Sequence, residues 1–180
     1  MSAPLPEGIE RVLFTEEQIA RRINEVGAEI SARYPKGIKL IAVLKGSVFF
    51  LTALAHAIET PVKVDFLAIS SFSNQPKAPG LVRIQKDLDH PIEGEDVLLI
   101  EDIIDSGFTA RYLLQTLAGR GPNSIAICTL LDRTSRRIVQ LPIAFRCFEI
   151  PDHFVIGFGL DYKQLYRNLG CIAVMNPDKA

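Results

Sequence analysis

With 180 residues, the chain is long enough for one well-packed domain with a modest appendage and too short for two comfortable domains. Its 48% apolar and 23% charged residues are the proportions of an ordinary globular protein. The formal net charge of −1 argues against a protein that works on nucleic acid or on an anionic membrane, because both usually need a basic excess.

The first predicted elements are helices and strands in alternation. Thr15 begins a T-x-x-Q capping box, and apolar residues then recur at helical spacing, which predicts a helix over residues 16–33. The apolar run over residues 38–44 is typical of a strand that is buried on both faces of a sheet. A second helix is predicted over residues 46–57, and alternating polarity predicts a strand over residues 62–70.

A polar segment rich in turn-forming residues follows this strand. Residues 71–79 have almost nothing to bury, and a short strand is predicted beyond them over residues 81–85. We interpret residues 70–86 as a flexible lid, and a surface loop without functional consequence is the alternative. Ser71 and Phe72 are the lid residues that we expect to matter.

Strands and helices continue to alternate through the rest of the chain. Strands are predicted over residues 97–101 and 124–131, with a helix over residues 108–117 between them. Two extended pieces, over residues 143–150 and 154–158, lead to a short C-terminal region. This order predicts an α/β fold with a parallel sheet flanked by helices. The carboxyl ends of its strands should share one edge, where open α/β sheets bind ligands.

Two adjacent acids, Glu101 and Asp102, precede the segment D-S-G-F-T at residues 105–109. This segment joins a strand to a helix, and the unpaired N–H groups and positive end of a helix suit a monophosphate. Two carboxylates beside an anion repel it unless a ligand supplies hydroxyls or a cation. A sugar that carries the phosphate supplies such hydroxyls, so the pattern indicates a sugar-phosphate site.

Other phosphate loops fit this segment less well. It lacks the lysine of a Walker A loop and the G-x-G-x-x-G pattern, so neither a nucleoside triphosphatase nor a dinucleotide enzyme is favoured. The simpler alternative is a capped helix after a strand, with Asp105 or Ser106 serving only as the N-cap.

Residues 97–110 resemble the 5-phosphoribosyl-1-pyrophosphate (PRPP) signature of type I phosphoribosyltransferases, in which an apolar run, two acids and two apolar residues precede D-[ST]-G-x-T. The resemblance implies that Glu101 and Asp102 hold the ribose hydroxyls. It also implies that one loop holds the 5-phosphate through its backbone and hydroxyls. The loop consists of Asp105, Ser106, Gly107, Phe108 and Thr109.

Three further segments resemble the hypoxanthine–guanine branch of that family, and together the similarity covers nearly the whole chain. The first is L-K-G-S at residues 44–47, which matches the pyrophosphate loop and implies that Lys45 and Gly46 bind pyrophosphate. The family often has a cis peptide bond before this lysine, and a solvated surface lysine is the alternative for Lys45. Arg167 matches a family arginine that contacts pyrophosphate, and Arg137 is a further candidate.

The second segment spans residues 148–162. By resemblance, Phe154 stacks on the purine, the main chain at Val155 reads the purine edge, Leu160 belongs to the same pocket, and Asp161 faces a magnesium ion on pyrophosphate. A phenylalanine suits a flat heterocycle through offset stacking, and a carboxylate suits Mg²⁺. The alternative for Phe154 is core packing.

The third segment, residues 130–137, departs from the family. Members usually carry lysine where Arg133 falls, and that lysine donates to the purine 6-oxo group. Arginine still donates to a carbonyl, but through a rigid fork, so a 6-oxopurine is favoured while the ranking of hypoxanthine, guanine and xanthine is open. The alternative for the whole run is a solvated basic turn. In the lid, Phe72 stands where a tyrosine is common, which removes one possible hydroxyl contact with pyrophosphate.

These resemblances imply a purine-salvage enzyme that combines PRPP with a 6-oxopurine, releases pyrophosphate and depends on Mg²⁺. Asp105 is expected to accept the N7 proton while N9 attacks. The expected carboxylates for the metal are Asp161, Glu101 and Asp102. The alternatives are an enzyme for another base (xanthine, adenine or a pyrimidine) and an RNA-binding regulator of the same fold, which would need a basic face for phosphate contacts.

The organisation follows from the same resemblance. A single domain over residues 1–180 is expected to divide into a core at about 38–145 and a small hood from about 1–15 and 146–180. Relatives are usually dimers or tetramers, so a homodimer or homotetramer is expected, with no nucleic acid or membrane as partner. The N-terminus lacks the pattern of a signal peptide and the three cysteines lack C-x-x-C spacing, which favours the cytoplasm.

Overall fold

The computed structural model describes residues 8–71 and 82–179, which form two sheets and three α-helices. In chain order the elements are β1 (Ile9–Phe14), α1 (Glu16–Arg33), β2 (Ile38–Leu44), α2 (Ser47–Ala57), β3 (Val62–Ser71), β4 (Val82–Lys86), β5 (Asp96–Ile104), α3 (Phe108–Ala118), β6 (Ser124–Asp132), β7 (Ile143–Glu149), β8 (Val155–Ile156) and β9 (Ile172–Met175). Short 3-10 turns follow β6 and β9, at Thr134–Arg136 and Pro177–Lys179.

The larger sheet has the strand order β4-β3-β2-β5-β6-β7 and is parallel except for β4, which runs antiparallel to β3. Successive residues of β2 point to opposite faces, so Leu40 and Ala42 join the cluster with α1 and α2, whereas Ile41 and Val43 join the cluster with α3. The sheet is thus covered on both faces, which explains why β2 is apolar at nearly every position. The predicted α/β fold is confirmed.

Parallel pairing brings three loops to one edge of this sheet. β2, β5 and β6 are neighbours, and their carboxyl ends lead into residues 45–47, 105–109 and 133–137. The strand β5 extends three residues beyond its predicted end at Glu101. Ile103 and Ile104 continue the pairing with β6, because the buried Ile104 still belongs to the core.

The smaller sheet has the order β1-β9-β8 and combines the two ends of the described chain. Ile9 pairs with Met175 and Val155 with Val174, both antiparallel. The predicted strand over residues 154–158 is wrong in extent, since only Val155–Ile156 pair and the chain turns at Gly157 with φ of 95°. We refer to this sheet and the loop over residues 157–167 as the hood.

The arms of the predicted lid are β3 and β4, which pair antiparallel. Phe72 and the rest of residues 72–81 lie outside the described residues, as does the side chain of Ser71. In the described ranges, no helix is both long and apolar enough to cross a membrane.

Candidate active site

Two cavities open side by side at the carboxyl edge of the larger sheet. The loop cavity, of about 160 Å³, is lined by Glu101, Ile103, Ile104, Asp105, Ser106, Gly107, Thr109 and Ala110. The hood cavity, of about 270 Å³, is lined by Asp102, Ile103, Asp105, Arg133, Phe154, Val155, Leu160 and Asp161. Ile103 and Asp105 line both cavities, so the two form one continuous site.

The loop at residues 105–109 is not a conventionally capped helix start. The N-cap of α3 is Gly107, in the left-handed region with φ of 91°, and it makes no side-chain capping hydrogen bond. The alternative in which Asp105 or Ser106 only caps the helix is therefore wrong. Asp105 Oδ1 is buried without a hydrogen-bond partner, whereas the side chain as a whole is 43% exposed and lines both cavities.

Hydrogen bonds from the segment that follows β6 hold this loop in place. The carbonyl of Ser106 accepts hydrogen bonds from the N–H groups of Ile138 at 3.0 Å and Val139 at 3.1 Å. Arg137 Nε donates to the carbonyl of Asp105 at 2.9 Å, and its guanidinium is also paired with the buried Asp132. Arg137 therefore supports the loop from within the protein, a different placement from the predicted contact with pyrophosphate.

The two adjacent acids differ in environment. Glu101 is buried, and its burial, together with the charge of Asp102, raises the pKa of its carboxyl well above the usual range. Burial also raises the pKa of Asp102, although the N–H of Ile103, which donates to Asp102 Oδ1 at 2.8 Å, and the charge of Arg167 oppose the rise. Raised pKa values favour the protonated forms, which donate and accept hydrogen bonds and so suit the hydroxyls of a sugar.

The loop after β2 approaches these acids closely. The Leu44–Lys45 peptide bond is cis, as the resemblance suggested, and Lys45 is exposed. A Cβ added to Gly46 would collide with the carboxylate of Asp102, and one added to Gly159 would collide with the carbonyl of Gly46. Glycine is thus required at both positions for the loop, β5 and the hood to meet.

The hood contributes a charged pair beside this contact. Arg167 Nη1 donates to the carbonyl of Gly159 at 2.7 Å, and Nη2 lies 2.7 Å from Asp161 Oδ1. Asp161 Oδ2 accepts from the N–H of Gln164 at 2.9 Å. The predicted metal ligand Asp161 is therefore already engaged by the arginine that was predicted for pyrophosphate. In residues 8–71 and 82–179, no three His, Cys, Asp or Glu side chains converge into a metal cluster.

The aromatic wall of the hood cavity is open to solvent. The side chain of Phe154 is 42% exposed and meets Tyr162 edge to face, with ring centroids 5.8 Å apart. Core packing, the alternative for Phe154, is therefore wrong. Val155 and Leu160 are buried beneath it, and β8 fixes Val155 opposite Val174.

Arg133 lines the hood cavity together with Phe154 and is not a solvated turn residue. It is buried, its Nη1 lies 3.3 Å from Asp105 Oδ2, and its Nη2 donates to the carbonyl of His153 at 2.5 Å. Its Nε is buried without a hydrogen-bond partner, like Asp105 Oδ1. One unsatisfied donor and one unsatisfied acceptor thus belong to neighbouring residues of the same cavity.

Further residues at the site had no predicted role in the sequence analysis. Ile103 separates the acids from the phosphate loop and lines both cavities, Gly159 meets Gly46, and Arg136 and Asp152 form an ion pair beside Arg133. The G-F-G pattern before Leu160 could have indicated the close approach of Gly159. No local pattern could indicate the other contacts, because each depends on the meeting of the hood with the larger sheet.

The chain is similar to a family of known transferases over most of its length. Residues 13–163 match the family described as "Phosphoribosyl transferase domain". The hypoxanthine-guanine phosphoribosyltransferase of Mycobacterium avium is 45% identical over 179 residues, covering 96% of this chain and 88% of the relative. The enzyme of the same name from Bacillus subtilis is 46% identical over 170 residues, covering 94% of each.

A solved structure agrees with these relatives. The crystal structure of a hypoxanthine phosphoribosyltransferase from Staphylococcus aureus superposes with a TM-score of 0.90 at 40% identity, covering 95% of this chain and 94% of that chain. The agreement extends over both sheets, since it covers nearly all of each chain.

Proposed function

The chain belongs to the phosphoribosyltransferase family, and from this membership we propose that it transfers the 5-phosphoribosyl group of PRPP to hypoxanthine or guanine, in purine salvage. In this reaction a bond forms between purine N9 and the anomeric carbon, the bond from that carbon to pyrophosphate breaks, and the purine loses one proton. The observation that carries the proposal is the joining of two cavities at Asp105, one suited to a sugar phosphate and the other to a flat base.

The loop cavity is proposed to hold the ribose 5-phosphate. Ser106, Gly107 and Thr109 line it at the start of α3, where N–H groups and the helix dipole favour an anion. The exposed Phe108 contributes its backbone rather than its ring. Glu101 forms the floor, and a buried carboxyl with a raised pKa suits ribose hydroxyls better than it suits a metal ion.

The hood cavity is proposed to hold the purine. Phe154 offers an open aromatic face, and Leu160 and Val155 line the base of the cavity. A 6-oxopurine presents an acceptor, O6, next to N7, and Arg133 and Asp105 supply a donor beside an acceptor. Adenine would place a donating amino group against the donating guanidinium, so this pairing favours the 6-oxopurines.

The proposed base is Asp105, which takes the N7 proton as N9 attacks the anomeric carbon. Its Oδ1 has no hydrogen-bond partner, while Oδ2 is held 3.3 Å from Arg133 Nη1. The carboxylate is held by Arg133 and lines both cavities, so it lies between the proposed sites of the base and the sugar. The neighbouring acids, whose pKa values are raised by burial, would hold the ribose hydroxyls in place during the attack.

The leaving group is proposed to lie between the loop after β2 and the hood. Lys45 is exposed there, Gly46 brings the backbone close, and Arg167 supplies positive charge. Mg²⁺, when bound to the pyrophosphate, would neutralise its charge, and it commonly needs only one or two protein carboxylates beside phosphate oxygens and water. Asp102 and Asp161 fit that donor set, since both are carboxylates near Arg167.

The organisation around the site is also a proposal. We propose that the core at about 38–145 handles PRPP and that the hood segments handle the base. A homodimer or homotetramer is proposed from the family. Residence in the cytoplasm is proposed because the buried thiols of Cys128 and Cys147 are free.

The decisive experiment is a spectrophotometric assay with PRPP, Mg²⁺ and hypoxanthine, guanine, xanthine or adenine in turn. We expect turnover of hypoxanthine, guanine or both, and none of adenine. No turnover of any 6-oxopurine would overturn the assignment, and turnover of adenine alone would instead indicate an enzyme for 6-aminopurines. Salt-dependent retention of RNA at physiological ionic strength, without turnover, would favour the RNA-binding alternative.

A further inference from the structure

Four charged side chains alternate in sign where the hood meets the larger sheet. Arg136 Nε lies 2.7 Å from Asp152 Oδ1, and Arg136 Nη1 lies 3.9 Å from Asp105 Oδ2. Arg133 Nη1 lies 3.3 Å from the same oxygen of Asp105, and Arg133 Nε lies 4.0 Å from Asp152 Oδ1. Each arginine thus faces both carboxylates, and each carboxylate faces both arginines.

The pair formed by Arg136 and Asp152 connects two separate parts of the fold. Arg136 belongs to the 3-10 turn that follows β6 of the larger sheet, and Asp152 lies between β7 and β8, at the entry to the hood. Asp152 precedes His153, whose carbonyl accepts from Arg133 Nη2. The ion pair therefore fixes the same stretch of hood backbone that holds the Arg133 fork.

Arg133 needs such support more than a lysine would. A guanidinium donates in fixed directions from a planar fork, so a small rotation moves every donor together. Arg133 is buried, and its Nε has no hydrogen-bond partner, so the charge of Asp152 at 4.0 Å is what compensates that nitrogen. Loss of the ion pair between Arg136 and Asp152 would allow the backbone at His153 to move. It would also leave the buried Nε of Arg133 with less negative charge to offset its burial.

We propose that Arg136 and Asp152 are positioning residues, which orient the Arg133 guanidinium over Asp105 and thereby set the affinity of the hood cavity for the purine. This inference rests on the proposed function. Neither residue lines the two cavities, so Asp152 acts through Arg133, and Arg136 acts through Asp152 and through the Asp105 oxygen that Arg133 also faces. A half-exposed ion pair contributes little to stability by itself, so an effect confined to the purine distinguishes positioning from a merely structural role.

The test compares KM values for the two substrates in Arg136→Gln, Asp152→Asn and the double variant. We expect each single change to raise KM for hypoxanthine or guanine by about 3–10-fold and to leave KM for PRPP unchanged. The effect of the double variant should fall well short of the sum of the two single effects, because both changes break the same ion pair. Arg136→Lys, which keeps the charge, should retain most of the purine affinity.

The matched control is Arg120→Gln. Arg120 and Asp87, with side chains 31% and 53% exposed, form an ion pair of the same length, 2.7 Å, beyond the C-terminal end of α3, and neither residue lines either cavity. Its kinetics should equal those of the wild type. Thermal unfolding and KM for PRPP show in each variant whether the fold is intact.

Four outcomes would contradict the proposal. An unchanged purine KM in both single variants overturns it, as does an equal rise in both KM values or an additive double variant. A wild-type chain that turns over no 6-oxopurine overturns the proposed function and this inference with it. A wild-type enzyme whose variants keep the purine KM overturns the inference alone.

Discussion

Asp105 is the residue at which the two halves of the proposed reaction meet. Asp105→Asn keeps the shape and the contact with Arg133 but removes the proton acceptor, so binding of PRPP should survive while kcat falls by about 10²–10⁴-fold. Isothermal titration with PRPP and steady-state kinetics measure the two quantities. Asp89→Asn, at an aspartate that is 66% exposed, is the matched control. Unchanged turnover in Asp105→Asn would remove this residue from the mechanism.

We predict that the Glu101 carboxyl lowers the stability of the folded chain and contributes to PRPP binding. Burial, with the charge of Asp102, raises the pKa of Glu101 above 4.5 in the folded chain, so the folded state retains a proton that the unfolded state releases. The free energy of unfolding therefore falls as pH rises from about 4.5 towards the folded-state pKa. Glu101→Gln cannot ionise, so it removes this fall in the free energy of unfolding. Its Tm should therefore exceed that of the wild type, and the difference should be absent at low pH and grow as pH rises.

Thermal unfolding of ligand-free protein at several pH values between about 4.5 and 8 measures that margin. The variant should also bind PRPP more weakly, because an amide replaces the carboxyl that is proposed to face the ribose. Glu59→Gln, at an exposed glutamate, should show neither effect. A difference in Tm that does not vary with pH would contradict the explanation based on ionisation.

Individual side chains show where sequence patterns stop being informative. The sequence offered Asp105 or Ser106 as a possible N-cap of α3, but the helix begins at Gly107 in a left-handed conformation, without a side-chain capping hydrogen bond. Arg137 was grouped with pyrophosphate, yet its partner is Asp132, five residues before it, whose burial becomes evident only in the folded sheet. Contacts of long side chains depend on the folded neighbours and not on local spacing.

At the scale of elements, the turn from β5 into α3 depends on a glycine at a position where any other residue would be strained. Gly107 has φ of 91°, and an added Cβ would lie 3.1 Å from the carbonyl oxygen of Val139 and 3.2 Å from Arg137 Cδ. Gly107→Ala should therefore destabilise the fold by about 1–3 kcal/mol and weaken PRPP binding. Urea unfolding and titration with PRPP measure these effects.

Substitutions at two other glycines distinguish the cost of backbone strain from the cost of steric crowding at Gly107. Gly94 has φ of 70° with no atom within 4 Å of an added Cβ, so Gly94→Ala should cost only the strain, about 1–2 kcal/mol, without affecting PRPP. Gly119 has a helical φ of −65°, so Gly119→Ala should be neutral or stabilise by about 0.4–1 kcal/mol. Equal effects at all three positions would show that the loop geometry is not responsible.

Helices and strands with a regular local pattern could be predicted from the sequence. Strands that depend on pairing between distant parts of the chain could not. The helix α1 spans Glu16–Arg33 as predicted, and its capping box forms, because both signals are local. The strands β1, β8 and β9 are short and depend on one another across the length of the chain, as in the pairing of Ile9 with Met175. The resemblance indicated a hood from these segments, but no periodicity within them indicated its strands.

At the scale of the whole molecule, the hood and the larger sheet share one hydrophobic core. Ile172 of β9 is fully buried in the same cluster as Ile19 of α1, Leu40 of β2 and Leu130 of β6. The hood is thus joined to the sheet by apolar packing as well as by Arg133. This continuity explains how a cavity between the two parts keeps a fixed geometry.

A shared core predicts that the hood does not unfold on its own. Ile172→Ala should lower the free energy of unfolding of the whole chain by about 2–5 kcal/mol in a single transition. Far-UV circular dichroism and tyrosine fluorescence, measured in urea at several protein concentrations, should report the same midpoint. Ile156→Ala is the matched change, since Ile156 is equally buried but lies in the small cluster with Ala173 and Met175. Ile156→Ala should lower the free energy of unfolding by less, because fewer buried side chains surround Ile156. An early transition seen by only one of the two probes would show that the hood unfolds as an independent unit.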